Sequence, residues 1–416
     1  MSDKKNVPKI RFPGFTEPWE QRKLEDIYGS IGNAFVGTAT PYYVESGHFY
    51  LESNNIKDGQ INHNTEVFIN DEFYEKQKDK WLHTGDMVMV QSGHVGHAAV
   101  IPEELNNSAA HALIMFRNPK KEIEPYFLNY QYQTLKSKKK IENITTGNTI
   151  KHILASEMQQ FEVDMPELAE QKKIAEYFRA LDHLITLHQR KLEHVKKMKK
   201  SMLQKMFPKK NQLYPEVRFP GFTDAWEQRK FGEITELKSA SRVHKDEWTS
   251  NGVPFYRSSD VMAAINGTEN EKAFISEELY EKLSKVSGKL EEGDILVTGG
   301  GSVGNPYIVT NNKPLYTKDA DLLWIKNKGK FHPYFLYEFF FSPTFRNYLG
   351  SISHVGTIAH YTITQLSDTP ICLPSFDEQK EVGEYFQSLD NLITLHQREL
   401  DHLQLLKKGM LQQMFI

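Results

Sequence analysis

The sequence predicts an α+β protein in which two mixed α/β domains are separated by two long antiparallel coiled-coil helices, related by a pseudo-twofold internal duplication. Three observations predict this fold. Most of the chain is repeated once, with the second copy about 207 positions after the first. Each copy ends in a segment with unbroken heptad spacing. The rest of each copy contains short apolar runs separated by turn residues, a pattern typical of short strands in a mixed domain.

Length and composition exclude several classes of protein. A chain of 416 residues suffices for two to four domains, and 39% hydrophobic with 25% charged residues is typical of a globular protein. Cys372 is the single cysteine, which excludes an internal disulfide and a multi-cysteine metal site. No apolar run reaches the ~18 residues of a membrane span, and the N-terminus leads into no signal-peptide core. We therefore expect a cytoplasmic protein without membrane association and without a metal site.

The repeat is strongest at the two ends of each copy. Residues 11–16 (RFPGFT) recur at 218–223, and residues 184–190 (LITLHQR) recur at 392–398. The centre shares only isolated anchors, which indicates a common frame that carries two different surfaces. The expected divisions are 1–166 for the first domain with its N-terminal arm, 167–207 for the first long helix, 208–217 for a linker, 218–374 for the second domain and 375–416 for the second long helix.

Apolar residues follow a 4-3 spacing through both long segments, which predicts two helices that pair along a coiled-coil seam. A whole domain lies between them in the chain, so we expect an antiparallel pair. Pro208 ends the first helix, and Ser375 with Glu378 forms a capping box at the start of the second. The predicted seam comprises Ile174, Phe178, Leu181, Ile185, His188, Leu192 and Val195 in the first helix, and Val382, Phe386, Leu389, Ile393, His396, Leu400 and Leu403 in the second.

Two kinds of polar residue interrupt the seam at equivalent positions of both copies. They are a histidine (His188 and His396) and a lysine (Lys199 and Lys407). Polar seam residues usually fix the register and orientation of the helices. A second hypothesis is that the histidines titrate and switch the coil. A pairing centred near residue 188 would bring the two histidines together.

A second apolar line widens the stripe on each long helix beyond what a two-helix seam needs. This surplus face packs either against the chain's own domains or against a separate partner protein. The docking candidates on it are Tyr177, Leu184, Leu187, Tyr385, Leu392 and Leu395.

These motifs together resemble the specificity subunit of type I restriction–modification enzymes. The resemblance rests on Arg-Phe-Pro-Gly-Phe-Thr followed by Trp-Glu-Gln-Arg-Lys, on the Gly-Asp…Val-Gly strand and turn, and on Glu-Gln-Lys-Lys-Ile…His-Gln-Arg-Lys-Leu, and it covers Pro8 to Phe415. It implies a non-catalytic protein with two target recognition domains, each reading half of an asymmetric bipartite site in double-stranded DNA. It also implies that the helices dock methyltransferase subunits and that restriction (motor–nuclease) subunits join the complex. The pseudo-twofold arrangement predicts two similar docking faces and hence two methyltransferase subunits. S-adenosylmethionine, ATP and Mg are then expected only in the partner subunits, and no cofactor in this chain.

The long helices have a length that suits this role. Thirty-eight residues at ~1.5 Å rise make a rod of roughly 57 Å. Two readers on one face of a duplex must lie about one turn, ~34–36 Å, apart. Because the two domains differ in sequence, the two half-sites should differ, with an unread spacer between them.

Candidate base-reading residues cluster in three loops of each domain. Arg, Lys, Asn, Gln, Ser and Thr side chains match the donors and acceptors of base edges. The alternative is that these loops are ordinary polar turns shaped by glycine. The base-edge candidates are Asn54, Asn55, Lys57, Gln91, Ser92, His94, Asn148, Lys151 and His152 in the first domain, and Arg257, Ser258, Ser259, Thr298, Ser302, Thr357, His360 and Tyr361 in the second.

Phosphate contacts require only positive charge. The candidates are Lys138, Lys139, Lys140, Arg242 and Lys245, with a solvated lysine face as the alternative. The first long helix carries ten Lys and Arg against four acidic residues, whereas the second carries four against six. The net charge of −3 predicts weak DNA binding in the absence of partner subunits.

Enzyme hypotheses find little support in the sequence. The run from Gly299 to Pro306 imitates a methyltransferase cofactor loop and catalytic turn, but it lacks the second proline and opens no convincing helix. A Walker loop and a His-Glu-x-x-His zinc motif are both absent. The surviving alternative to a DNA-reading subunit is a structural adaptor whose duplicated domains bind other proteins.

Overall fold

The computed structural model describes residues 6–147, 149–319, 321–352 and 360–416. The chain divides into two compact units. The first unit comprises the chain up to His188 together with Arg398–Ile416, and the second comprises Gln189–Gln397.

The first unit contains short strands and helices followed by the first half of a long helix. Its strands are β1 (Glu20–Lys23), β2 (Tyr28–Asn33), β3 (Tyr43–Val44), β4 (His48–Leu51), β5 (Ile56–Lys57), β6 (Gln60–Ile61), β7 (Phe68–Ile69), β8 (Met87–Val90), β9 (Ala98–Val100), β10 (Ala109–Ala110), β11 (Leu113–Pro119) and β12 (Glu162–Met165). Its helices are α1 (Leu24–Ile27), α2 (Asp71–Glu75), α3 (Pro125–Tyr132), α4 (Leu135–Ile144), α5 (Ala155–Gln159) and the start of α6 (Leu168–Lys205), with 3₁₀ turns at Thr40–Tyr42, Ser53–Asn55, Lys78–Lys80 and Glu103–Leu105.

The second unit repeats this order, except that a helix replaces the strands β5 and β6. Its strands are β13 (Glu227–Lys230), β14 (Leu237–Ser239), β15 (Trp248–Thr249), β16 (Val253–Tyr256), β17 (Ala273–Ile275), β18 (Ile295–Thr298), β19 (Pro306–Ile308), β20 (Tyr316–Thr317), β21 (Leu322–Ile325) and β22 (Pro370–Leu373). Its helices are α7 (Phe231–Ile234), α8 (Ser258–Asn266), α9 (Glu277–Ser287), α10 (Pro333–Phe339), α11 (Pro343–Ile352), α12 (Ile363–Asp368) and the start of α13 (Phe376–Gln413), with a 3₁₀ turn at Lys245–Glu247.

The sheets of the two units correspond. An antiparallel sheet has the order β2-β11-β8-β9 in the first unit and β14-β21-β18-β19 in the second. A smaller sheet joins one parallel pair to antiparallel neighbours in each unit, in the orders β10-β4-β7-β3 and β15-β17-β16-β20. A two-stranded pair, β1-β12 or β13-β22, connects the strand after the N-terminal arm to the strand that leads into the long helix. The mixed α/β domains predicted from the sequence are confirmed.

The two long helices run antiparallel within each unit. In the first unit, Lys407 of α13 lies 2.6 Å from Asp182 of α6, and the Phe178 ring lies 5.9 Å from Phe415. Residue numbers therefore fall along α13 as they rise along α6. The second unit repeats the arrangement, with Lys199 of α6 2.7 Å from Asp390 of α13. The antiparallel helix pair is confirmed, and the lysines that interrupt the seam form ion pairs across it.

The seam residues line the interior of each unit. In the first unit Ile174, Phe178 and Leu181 are buried, and in the second Val382, Phe386 and Leu389 are buried. Leu192, Val195 and Leu400 are also buried, whereas Ile185, His188, Ile393, His396 and Leu403 are half-buried. His188 belongs to the first unit and His396 to the second, so their meeting and any titrating switch remain predictions.

Each N-terminal arm is fixed to the start of a long helix by a buried carboxylate. Arg11 and Trp19 both donate hydrogen bonds to Glu170, and Arg218 and Trp226 do the same to Glu378. The arm motif and the start of the helix are thus two halves of one contact, which explains why both ends of the repeat stayed alike.

The anchors shared by the centres of the two copies also have a packing role. Gly96 and Gly304 follow the β8 and β18 strands with φ of 85° and 75°, a conformation that favours glycine. A Cβ at Gly96 would lie 2.8 Å from the side chain of Ile141, and one at Gly304 would lie 2.6 Å from Leu349. The Val-Gly pair therefore lets the turn after the strand lie directly on α4 or α11.

The segments 125–139 and 333–348 have the residue pattern of helices, and in the structure each contains two helices with a break between them. The first break has its cause at Thr134, whose side chain accepts a hydrogen bond from the Ser137 N–H and caps α4. The second break precedes Pro343, which can begin a helix but cannot continue one.

Candidate nucleic-acid interface

The three loops singled out in the first domain come together in the structure. The Gly93 N–H donates to the Lys151 carbonyl at 3.0 Å, and the Ile153 N–H donates to the Gln91 carbonyl at 3.0 Å. The β8–β9 turn is therefore hydrogen-bonded to residues 151–153. His94 Nε2 lies 3.0 Å from the Ser53 carbonyl, which brings in the loop before β5. Residues distant in sequence therefore form one continuous polar surface, the first-unit loop surface.

Most of the candidate side chains on the first-unit loop surface are accessible. Those that are exposed are Asn54, Lys57, His94, Lys151 and His152, while Gln91 and Ser92 are half-buried. Exposed amide, imidazole and ammonium groups on adjoining loops are the kinds of group that read base edges in a groove. The surface thus offers both donors and acceptors in one place.

A cavity of about 300 Å³ opens beside this surface. It is bounded by the β8–β9 turn and by α4, and Lys138 and Lys151 contribute positive charge to its wall. Lys151 lies 3.4 Å from Glu142, and Lys139 is exposed. Lys140 instead donates to the Glu162 carbonyl at 3.2 Å, so this phosphate candidate already has a partner within the unit.

His97 was not among the sequence candidates, although it lines the same cavity. Its Nδ1 accepts a hydrogen bond from the Asp58 N–H at 3.1 Å, which places the proton of the neutral ring on Nε2. Burial lowers the pKa of His97, so the neutral ring is favoured near pH 7. Its place in the turn motif gave no sequence signal, because only the fold brings the Asp58 loop beneath it.

The second unit builds its surface from the same positions. Gly300 bridges to His360 as Ser92 bridges to His152. The Tyr361 N–H donates to the Gly299 carbonyl at 2.8 Å, and the Ser258 hydroxyl donates to the Asp321 carbonyl at 2.9 Å. This second-unit loop surface exposes Ser259, Ser302 and His360, with Arg257 and Ser258 half-buried.

The two loop surfaces differ in local structure as well as in side chains. The first unit has the β5–β6 hairpin, whose turn residues Asp58 and Gly59 have φ of 49° and 86°, as a tight Asp-Gly turn requires. The second unit has helix α8 in the corresponding part of the chain, and Asp260 accepts from the Arg257 N–H at 2.8 Å to cap it. The polar positions thus remain in place while the framework beneath them changes.

Burial removes three residues from the base-edge candidates. Asn55, Thr298 and Tyr361 are each at most 1% exposed, and they were wrongly assigned to an accessible surface. Thr298 Oγ1 accepts from the Asn305 N–H at 2.9 Å, and the Tyr361 hydroxyl lies 2.5 Å from Thr369 Oγ1. Their polar groups stabilise the loops from inside instead of facing a ligand.

Some of the remaining base-edge and phosphate candidates lie outside the described residues, are already paired, or form no polar contact with the loop surface in the described chain. Asn148 and Thr357 lie outside the described residues. Arg257 forms a half-buried ion pair with Asp260 at 2.9 Å and lies over the Trp248 ring. Arg242 and Lys245 are exposed, but within the described chain they form no ion pair or side-chain hydrogen bond with the loop surface.

Arg346 is a residue that the sequence analysis did not select. It occupies the position on α11 that Lys138 occupies on α4, and it donates to Asn305 Oδ1 at 2.9 Å directly behind the β18–β19 turn. Burial lowers the pKa of this guanidinium, which nevertheless keeps its charge. The offset of 208 between the two copies was the signal that could have found it.

The helix face proposed for docking is only partly free. Leu184 and Leu187 in the first unit are 41% and 37% exposed, and Leu392 and Leu395 in the second are 41% and 50% exposed. The two tyrosines of this face, Tyr177 and Tyr385, are half-buried instead, with edge-on ring contacts to Phe12 and Phe219 of the N-terminal arms. Of the six docking candidates, the four leucines are therefore the exposed ones.

Comparison with known proteins identifies the family. Residues 16–197 and again residues 223–405 match the type I restriction modification DNA specificity domain. The chain belongs to this family. It is a type I specificity subunit with two target recognition domains, and specificity subunits are non-catalytic.

Two relatives from Methanocaldococcus jannaschii cover nearly the whole specificity subunit. The type I restriction enzyme MjaVIII specificity subunit is 24% identical over 97% of this chain and 93% of its own length. The putative type I restriction enzyme MjaX specificity subunit is 25% identical over 97% of this chain and 94% of its own length. The fold is similar to that of the type I restriction-modification S subunit from M. genitalium, with a TM-score of 0.63, 16% identity and 99% of both chains covered.

Two kinds of feature are absent from the described residues. None of the helices there has both the length and the apolar content of a membrane span. Across the same residues, no cluster of three or more His, Cys, Asp or Glu side chains has the arrangement of a metal site.

Replacing Asn55 with alanine should lower the free energy of unfolding by about 2–4 kcal/mol, because three buried hydrogen bonds are lost. Asn55 Nδ2 donates to the Asn62 and Thr65 carbonyls at 3.0 and 2.8 Å, and its Oδ1 accepts from the Glu52 N–H at 2.9 Å. The exposed neighbour Asn54 is the matched control, and its alanine variant should lose less than about 0.5 kcal/mol. Equal urea unfolding midpoints for the two variants would show that Asn55 has no such structural role.

Proposed function

We propose that this specificity subunit reads an asymmetric bipartite site in double-stranded DNA, one half-site for each loop surface, and holds the methyltransferase and restriction subunits of its system in place. The proposal rests on one observation: the same arrangement of loops occurs in both units. Equivalent backbone bridges, Ser92 to His152 and Gly300 to His360, hold loops whose exposed side chains differ, such as His94 in the first unit and Ser302 at the equivalent position of the second. Two loop surfaces with the same backbone arrangement but different side chains suit two half-sites of different sequence.

Base reading requires donors and acceptors that are accessible and firmly held. His94, Lys151 and His152 meet both conditions, since each is exposed and its loop is hydrogen-bonded to a neighbouring loop. In the second unit Ser302 and His360 have the same properties. We assign base reading to these residues and to the neighbouring Asn54, Lys57, Ser92 and Ser259.

Phosphate contacts would surround each reading surface. Lys138 on α4 lines the cavity beside the first-unit loop surface, Lys139 is the next residue of that helix and is exposed, and Arg346 holds the corresponding turn in the second unit. Such contacts fix the protein on the duplex and carry no sequence information of their own.

Partner docking would use the exposed leucines of the long helices. Leu184 and Leu187 recur as Leu392 and Leu395, so each unit presents the same apolar pair. An apolar surface that is present twice suits a partner that binds twice, and we propose two methyltransferase subunits for it. The proposed divisions are 1–166 and 218–374 for the recognition domains, 167–207 and 375–416 for the helices and 208–217 for the linker, in a complex that works on cytoplasmic DNA.

Exchanging one recognition domain should change one half of the DNA motif. A host that carries the complete system is given a chain in which residues 215–375 are replaced by those of another specificity subunit, and methylated adenines are mapped across the genome. We expect one half-site to change completely and the other to remain, since each loop surface is built within one unit. A change in both half-sites would contradict the modular assignment.

Salt dependence separates DNA reading from the adaptor alternative. The chain with its methyltransferase subunit is tested for retention on duplex DNA between about 50 and 500 mM salt. Reading through phosphates and bases predicts retention that weakens steeply as salt rises. Absent or salt-insensitive retention would favour an adaptor that binds only proteins.

A further inference from the structure

A basic stripe covers the second half of α6. It consists of five exposed side chains on the part of the helix that belongs to the second unit: Arg190, Lys191, Lys196, Lys197 and Lys200. Glu193 is the one acidic residue between them. Among the residues that the structure describes, none of these five side chains has a hydrogen bond or an ion pair.

The fold gives no reason for this stripe. Lysines three and four apart on one helix repel each other and destabilise it, as Lys196, Lys197 and Lys200 do. The helix dipole favours cations only in the last turn, and α6 continues to Lys205. The seam of the coil is formed by other side chains, such as the buried Val195.

The duplicated copy shows that the coil forms without the stripe. The equivalent positions of α13 are Arg398, Glu399, Gln404, Leu405 and Lys408, with one acidic and two uncharged residues. Leu405 is 70% exposed at the position of Lys197. Since both helices pair in the same way, the five cations of α6 serve a contact that the molecule makes once.

We propose that the basic stripe binds the phosphate backbone of duplex DNA in the unread spacer between the two half-sites. This inference rests on the proposed function, in which the two loop surfaces read two half-sites with an unread spacer between them. A partner that docks twice would require two similar faces, as the exposed leucines provide, whereas the stripe is present once. A DNA duplex is present once, and it carries one negative charge per ~1.7 Å of its axis. The stripe extends over roughly 15 Å of helix, so several phosphates lie within its span.

The test compares two triple variants in the complex with the methyltransferase subunit. The stripe variant is Lys196→Gln/Lys197→Gln/Lys200→Gln. The control is Lys272→Gln/Lys282→Gln/Lys285→Gln, which makes the same charge change at exposed lysines of the second unit outside the loop surfaces. Duplex affinity is measured from about 50 to 500 mM salt, and the methylated motif is mapped for each complex.

We expect the stripe variant to lower the slope of log K against log salt by about 2–3 and to weaken binding on the order of 100-fold near 0.1 M salt. The methylated motif should stay unchanged, since phosphate contacts carry no sequence information, and the control should match the wild type. A wild-type slope in the stripe variant would overturn the inference. Loss of the methyltransferase from the complex at unchanged slope would overturn it too, and would assign the stripe to an acidic protein surface. Failure of the wild-type complex to bind duplex DNA would instead refute the proposed function.

Discussion

Replacing Glu170 with glutamine should destabilise the first unit by about 3–5 kcal/mol, because it breaks a buried ion pair and leaves its partner uncompensated. Glu170 is fully buried and accepts from Arg11 Nε at 2.6 Å, from Arg11 Nη2 at 2.7 Å and from Trp19 Nε1 at 3.2 Å. Glutamine has nearly the same shape, but it loses the charge and directs an NH₂ group towards donors. The free energy of unfolding of the full chain is measured in urea, with hydrogen exchange to locate the loss.

The second copy provides an internal replicate of this experiment. Glu378 accepts from Arg218 at 2.6 and 2.7 Å and from Trp226 at 3.2 Å, so Glu378→Gln should cause a similar loss within the second unit. Glu176→Gln is the control, since Glu176 is an exposed residue of α6 and its change should cost less than about 0.5 kcal/mol. If Glu170→Gln unfolds no more easily than Glu176→Gln, the buried carboxylate does not hold the arm.

The frame of the molecule could be predicted because its signals are local and repeated. Heptad spacing requires only the positions of apolar residues, and it gave helices that the structure places at Leu168–Lys205 and Phe376–Gln413. The two ends of the repeat were recognisable as strings, yet their contact was not. Arg11 and Glu170 are 159 positions apart, and only the folded chain shows that they form one ion pair.

For the proposed base-reading residues, the sequence predicted the loops on which they lie but not which side chains of those loops are exposed. Asn55 and Asn54 are identical in type and adjacent, but one is buried under the β5–β6 hairpin and the other is exposed. A polar side chain that holds a turn from inside and one that reads a base have the same donors and acceptors. Which role each has depends on burial, and burial depends on the packing of distant segments.

In each unit a lysine–aspartate ion pair joins α6 to α13, and the residue next to this pair differs between the two units. In the first unit the hydroxyl of Tyr130 donates to Asp182 at 2.8 Å, and Asp182 lies 2.6 Å from Lys407. In the second unit Glu338 stands where Tyr130 stands in the first, and Lys199 lies 2.8 Å from it. Two carboxylates, those of Glu338 and Asp390, thus share one lysine in the second unit.

Burial raises the pKa of Glu338 to about 8, with the neighbouring Asp390 adding to the effect and Lys199 opposing it. The side chain is fully buried, and its Oε2 has no hydrogen-bond partner within the described residues. The ordinary value of 4.5 applies to the unfolded chain. Between these two values the folded state binds a proton that the unfolded state has lost, so folding is favoured at low pH and the stability of the second unit falls as pH rises from about 5 to about 8.

Glu338→Gln should remove this pH dependence. Glutamine is uncharged, still offers Lys199 an acceptor and leaves Asp390 as the single counter-ion of the lysine. We expect the variant to be within about 1 kcal/mol of the wild type at pH 5 and more stable by about 2–4 kcal/mol at pH 9, where the wild type keeps a poorly compensated buried charge. Urea unfolding midpoints from pH 5 to 9 measure the difference, which isolates Glu338 from the other titrating groups.

Tyr130→Phe is the matched control at the equivalent position of the first unit. It removes one hydrogen bond to Asp182 and should cost about 1 kcal/mol, to the same extent at every pH from 5 to 9, since burial raises the pKa of the Tyr130 hydroxyl and the group that is removed is uncharged throughout this range. A Glu338→Gln variant that is destabilised equally across this range would mean that Glu338 is ionised throughout and acts as a permanent counter-ion of Lys199. If instead the variant becomes increasingly more stable than the wild type above pH 6, the pairing of α6 and α13 in the second unit is most stable when Glu338 is protonated.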